Sequence, residues 1–220
     1  KTRPEWRTIP ALASGWDLGM QSYPGYVRWR AGQTRFTDVA IHGSTARTLT
    51  GEGDPERVMV GLASSSLFPL LGIRPILGRG FTPEEDRVDT PPVALLSHSF
   101  WMERFGGRED VLGRSVRLNE VPFTVVGILP PDFRLREPSL APRSGDLPIW
   151  IPVGADGYRR SEGSHGYWAV GRLAPGSTID QARAEALTLI PPPGDDEEVG
   201  VRMDSWVEME KAGLTSPLLL

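Results

Sequence analysis

PVALLSHSFWMERFGGREDVLGRSVRLNEVPFTVVGIL, residues 92–129, holds the clearest succession of elements in the chain. Val93–Leu96 reads as a short apolar strand. Ser97 follows where a helix N-cap belongs, and Phe100, Trp101 and Phe105 supply the apolar residues of the helix it opens. Gly106-Gly107 stops that helix, since glycine readily takes the left-handed conformation of a C-cap. Arg114–Leu118 and Phe123–Leu129 then alternate around Asn119-Glu120, the pattern of a β-hairpin. Glycine usually follows asparagine in a two-residue turn, so Glu120 predicts a longer one.

Outward from this stretch the same grammar recurs. Tyr23, Tyr26, Val27 and Arg30 keep helical spacing, with Ser22 as N-cap, Pro24 in the first turn, Trp29 and Phe36 extending the apolar surface, and Gly32 near the end. Val39–Thr50 and Arg57–Ala63 read as strands joined by the turn cluster Gly51 to Pro55. Ser65 or Ser66 is expected to cap a short helix through Leu67–Leu71, which Gly72 ends. Thr82-Pro83-Glu84-Glu85 and Thr178-Ile179-Asp180-Gln181 are capping boxes. The second opens a helix through Ala182, Ala186 and Leu189 that Pro191-Pro192-Pro193-Gly194 breaks. Ile149–Val153, Tyr167–Leu173 and Val199–Met203 read as strands, and Pro130–Pro148 as an irregular loop. The first twenty residues show no clear periodicity. Short strands and helices alternate without long βαβ spacing, so the fold class is α+β.

Composition sets the functional limits. The net charge of −4 argues against nucleic acid, because phosphate contacts need a dense basic surface. Lysine occurs only at Lys1 and Lys211, so almost all positive charge is arginine, suited to bidentate pairing with carboxylates. The absence of cysteine removes disulfides, thiolate nucleophiles and thiolate-bound metal. No apolar run approaches the roughly 18–20 residues of a membrane span. Leu218-Leu219-Leu220 is either the last turn of a core element or the start of a longer apolar segment.

The chemistry-bearing residues lack the required spacing. His42, His98 and His165 fall in no metal-binding pattern, and Ser97-His98, adjacent at a helix start, point their side chains apart. There is no Gly-x-Ser-x-Gly elbow. Glu84-Glu85-Asp86 fits a first helical turn meeting the helix dipole, and Asp195-Asp196-Glu197-Glu198 a solvated loop, better than either fits a calcium loop. Gly78-Arg79-Gly80-Phe81 is too short to cradle a phosphate and precedes no Gly-Lys-Ser. Seven tryptophans could line a carbohydrate or drug cleft, but Trp29 and Trp101 fall on apolar helix faces, where core packing is the simpler role. The expected inventory is therefore no catalytic residues, no metal ligands and no cofactor.

The order of segments resembles the MacB-like periplasmic core domain of FtsX-type ABC permeases, in particular the large, internally duplicated permeases of that group. The resemblance begins at Ser22-Tyr23-Pro24-Gly25-Tyr26 and runs through Trp29-Arg30-Ala31, Phe36, Leu49-Thr50-Gly51 and Pro55-Glu56-Arg57-Val58. It continues in Leu67–Ile73, Leu77–Phe81 and Glu84-Glu85-Asp86. The most specific part is Pro92–Ser97, Phe100-Trp101, Arg104-Phe105-Gly106-Gly107, Leu112-Gly113-Arg114 and Val116–Asn119, followed by Pro122–Ile128, Pro130-Pro131 and Phe133. Gly171–Gly176 and the helix at Gln181-Ala182 match later. Two departures stand out: Asn119-Glu120 replaces the usual Asn-Gly turn, and the helix after Thr178 reaches Pro191 early.

The resemblance implies a two-lobed α+β domain between the first and second membrane helices of a permease. A porter-like lobe would comprise about 1–76 plus 146–220, and a sabre-like lobe about 77–145, with the hairpin Arg114–Leu129 at its heart. It implies an extracytoplasmic, non-catalytic role, opening and closing with ATP hydrolysis by a cytoplasmic ATPase subunit to export a substrate or perform periplasmic mechanical work. The implied partners are a second permease copy or half, that ATPase through the rest of the permease, and periplasmic proteins, while the isolated domain is expected to be monomeric. Leu218–Leu220 would then begin the next membrane helix. The alternatives are a free-standing periplasmic sensor or ligand-binding module, and a secreted hydrolase, for which no nucleophile–base pair is legible.

Overall fold

The protein was analysed as a computed structural model, which describes residues 6–9, 22–51, 54–135, 147–156, 166–189 and 204–205. In chain order the strands are β1 (Trp6–Ile9), β2 (Phe36–Thr50), β3 (Glu56–Ala63), β4 (Leu77–Gly78) and β5 (Val93–Leu96). They continue with β6 (Ser115–Leu118), β7 (Val121–Ile128), β8 (Ile149–Pro152), β9 (Trp168–Leu173) and β10 (Asp204–Ser205). The α-helices are α1 (Tyr23–Gly32), α2 (Leu67–Leu70), α3 (His98–Phe105) and α4 (Ile179–Leu189). Val199–Met203, His165, the acidic run Asp195–Glu198 and Leu218–Leu220 lie outside the described residues. The class is α+β, as expected.

Residue contacts divide the described chain into two units. One holds the residues up to Ile41 and those from 166 onward; the other is His42–Asp156. Strand β2 supplies its first six residues to one unit and the rest to the other.

In the first unit the strand order is β10-β1-β9-β2. Helix α1 starts as its sequence predicts, with the Ser22 hydroxyl accepting from the Gly25 N–H at 3.1 Å and proline in the first turn. Its buried face is Gly25, Tyr26 and Trp29, and Trp29 meets Phe36 edge-on at 5.4 Å. A Cβ on Gly171 would lie 2.5 Å from the Phe36 ring, so only glycine leaves this ring its place. Helix α4 carries a complete capping box: Gln181 accepts from the Thr178 N–H at 3.1 Å and the Thr178 hydroxyl accepts from the Gln181 N–H at 3.3 Å. Its buried residues are Ala182 and Ala186. Glu185 reaches across to the segment after α1, accepting from the Thr34 N–H and hydroxyl at 2.9 and 2.6 Å and from the Arg35 N–H at 3.2 Å. Desolvation opposes charge on Glu185, but these hydrogen bonds outweigh it and hold its carboxyl below the ordinary value. Strand β1 was not legible in the sequence: it exists through its antiparallel pairing with β9 and β10.

In the second unit the order is β2-β3-β8-β5-β7-β4, with β6 pairing to both β2 and β7. Parallel pairs (β3 with β8, β5 with β7) mix with antiparallel ones, and every residue of β5 and of β8 is buried. Phe68 of α2 sits among Phe133, Trp150 and Phe81, all edge-on at 5.5 to 5.9 Å. Gly61 stands opposite Trp150 in the β3–β8 register, and a Cβ there would lie 2.4 Å from the indole. Small against large is how this core accepts a full indole at native density.

Strand β3 pairs with β8, and β8 with β5, so 42–76 and 147–156 group with the hairpin. Two expectations change here. The turn at Asn119-Glu120 is two residues long, since Leu118 pairs directly with Val121. Both turn residues take the left-handed conformation, with φ of 48° and 65°. The Asn119 carboxamide accepts from the Thr48 N–H at 2.7 Å, and the Asn119 N–H donates to the Thr48 carbonyl at 2.8 Å, so the turn is docked on β2. Ser66 stands at the N-cap of α2 but makes no side-chain capping bond: its hydroxyl shares a hydrogen bond with Ser64 at 3.1 Å, and Ser65 is held by Asp86.

Candidate functional site

The residues with chemical potential fall into structural positions. Ser97 accepts from the Phe100 N–H at 3.2 Å as the cap of α3, while the His98 ring packs edge-on against Trp101 at 5.6 Å. The two do not form a nucleophile–base pair. His42 is buried at the head of its half of β2, opposite Ala63. Glu84-Glu85-Asp86 forms one turn of 3-10 helix whose last two carboxylates are buried and engaged. Asp86 accepts from the Ser65 N–H at 2.9 Å and from its hydroxyl at 2.7 Å. Glu85 accepts from the Thr82 N–H at 2.8 Å and forms a two-pronged pair with Arg79 at 2.7 and 3.1 Å. That hydrogen bonding lifts the Arg79 guanidinium above its ordinary value. Gly78, with φ of 75°, lets β4 approach β7, since a Cβ would lie 2.2 Å from the Val126 carbonyl oxygen. Trp29, Trp150 and Trp168 are core residues; Trp101 is only half-buried, its indole N–H donating to the Arg108 carbonyl at 2.9 Å.

Among the described residues no group of three or more His, Asp or Glu side chains is placed to hold a metal ion. No helix among them is long and apolar enough to cross a membrane.

The second unit contains a cleft of about 160 Å³ where three segments meet. The end of β2 contributes Leu49–Gly51, α3 contributes Phe100, Arg104 and Phe105, and β6 contributes Ser115–Arg117. Its position follows from β6 pairing with β2 through Leu49–Leu118 and Thr50–Arg117 while α3 runs alongside. Arg104 forms an ion pair with Glu56, and its guanidinium carbon lies 5.9 Å from the Phe100 ring centre. Arg117 donates to the Glu120 carbonyl at 3.4 Å, the outer limit of a hydrogen bond. Thr50 donates to the Glu120 carboxylate at the same distance. The nearby Arg108, Asp110 and Arg114 form an exposed cluster in which the Arg108 hydrogen bond is the main cause holding the Asp110 carboxyl below its ordinary value. The sequence did not single out these cleft residues as a site.

The fold matches that of extracytoplasmic permease domains. The periplasmic region of MacB from Actinobacillus actinomycetemcomitans superposes with a TM-score of 0.69 at 15% identity, covering 94% of this chain and 92% of that one. The extracellular domain of the noncanonic ABC-type transporter YknZ from Gram-positive bacteria gives 0.61 at 14% identity, over 84% and 92% of the two chains. At these identities the likeness is one of fold. No curated protein sequence matches the chain. The family model for the MacB-like periplasmic core domain matches residues 10–189. The chain belongs to that family: it is an extracytoplasmic domain of a MacB-like ABC transporter permease.

Proposed function

We propose that this domain relays ATP hydrolysis by a cytoplasmic ATPase subunit into substrate export or mechanical work outside the membrane, with no catalytic step and no cofactor of its own. The observation that carries the reading is the family match across residues 10–189 in a chain whose contacts resolve into two units. The unit containing the N-terminal part, α4, β9 and β10 takes the porter-like role, and His42–Asp156 the sabre-like one. Its partners are a second copy or half of the permease, the ATPase through the membrane portion, and periplasmic proteins. Effective concentration supplied by membrane helices lets domains of this kind meet through weak, polar contacts, so the isolated domain is a monomer.

Hydrogen exchange on the domain within the complete transporter tests this, comparing the nucleotide-free state with an ATP-trapped one. Coupling predicts that amides flanking the junctions at 41/42 and 156/157 change protection between the states. Identical exchange throughout the domain would refute it.

A further inference from the structure

The cleft at the end of β2 belongs to no step of the coupling reading, and its lining has the chemistry of a small site. Leu49, Phe100, Phe105 and Val116 supply apolar surface at its walls. The volume, about 160 Å³, matches a single ring: a dry cavity of about 150 Å³ suffices for benzene. The two arginines differ in their commitments. Arg104 is engaged by Glu56 and lies over Phe100. Arg117 has five N–H donors, and among the described residues its guanidinium makes one bond, the 3.4 Å contact to the Glu120 carbonyl. Among the described residues it has no carboxylate partner within ion-pair distance.

We propose that this cleft binds a carboxylate carried on an apolar group about the size of one aromatic ring, with Arg117 holding the carboxylate and the Phe100–Phe105–Val116 surface holding the ring. A planar guanidinium with spare donors recognises a carboxylate through two parallel hydrogen bonds. Phosphate esters suit the site less, because the carboxylates of Glu56 and Glu120 stand nearby and repel a second negative charge. Two sources share the chemistry: a free aryl carboxylic acid and the C-terminal residue of a peptide.

The test is chemical-shift titration of the full 220-residue chain with 3-phenylpropionate, 3-phenylpropanol, and a tripeptide ending in Phe as free acid and as amide. The expected result is saturable shifts at Leu49, Phe105 and Val116, with 3-phenylpropionate binding at least about tenfold tighter than the alcohol, the usual worth of a charge-assisted hydrogen bond. Arg117→Gln should abolish that preference while leaving alcohol binding unchanged, and Arg117→Lys should retain part of it. If the peptide acid binds like 3-phenylpropionate and its amide does not, the source is a chain terminus; if neither peptide binds, it is a free acid. Equal binding of acid and alcohol, a preference that survives Arg117→Gln, or no shifts at these three residues would overturn the proposal.

Discussion

Replacing Glu120 by glycine should make the second unit more stable, although it removes a side chain that makes a hydrogen bond. Glu120 sits at φ 65° in a two-residue turn, where an L residue other than glycine costs about 1–2 kcal/mol. Glycine removes that strain but makes the unfolded chain more disordered, an offset of about 0.5–1 kcal/mol. The lost contact, Thr50 to the Glu120 carboxylate at 3.4 Å, is exposed and long, and contributes close to nothing. The net expectation for Glu120→Gly is a gain of about 0.5–1 kcal/mol, a rise of roughly 1–4 °C in Tm for a domain this size. Asn119→Ala should act in the opposite direction, because it keeps the left-handed backbone and loses the 2.7 Å bond from the Thr48 N–H. Urea unfolding, with amide exchange at Val116 and Phe123 reporting the hairpin itself, measures both. A Glu120→Gly protein no more stable than the parent would refute the strained two-residue turn.

Gly61→Ala should destabilise by about 1–3 kcal/mol in urea unfolding, because its methyl group would enter the Trp150 indole at 2.4 Å and the core must repack. Asp86→Ala leaves the buried Ser65 N–H and hydroxyl without the acceptor they share, and about 2–4 kcal/mol should be lost in the same assay. The Glu185 carboxyl lies below its ordinary value when folded, so its stabilisation is fully present above the unfolded carboxylate range and fades as pH falls through the folded value. Glu185→Gln should therefore lower stability at neutral pH and flatten the acid limb of a stability–pH curve; a limb of unchanged steepness would contradict this.

Local chemistry made much of the fold legible. Ser22, Ser97 and the Thr178–Gln181 box start helices where their hydroxyls and carboxamide say they should, and Gly106, at φ 60°, ends α3. What stayed hidden depends on residues distant in sequence. Trp6–Ile9 has no pattern of its own and is a strand through β9, more than 150 residues later in the chain. The Asn119-Glu120 turn can be tight without glycine because Thr48 binds Asn119 from a strand 71 positions earlier. The β3–β8 pairing stayed hidden for the same reason, since nothing near Gly61 announces that Trp150 will face it. The cleft is built from three segments that separately read as a strand end, a core helix and half of a hairpin.

This domain stands outside the cytoplasmic membrane as part of a permease. This domain has no cysteine, so one placed at exposed Glu103 on α3 is the domain's only thiol, and any cysteine elsewhere in the permease is replaced beforehand. In intact cells expressing the complete permease, a membrane-impermeant maleimide should label Glu103→Cys as fully as it does after lysis. Labelling that appears only once the membrane is broken would contradict the account.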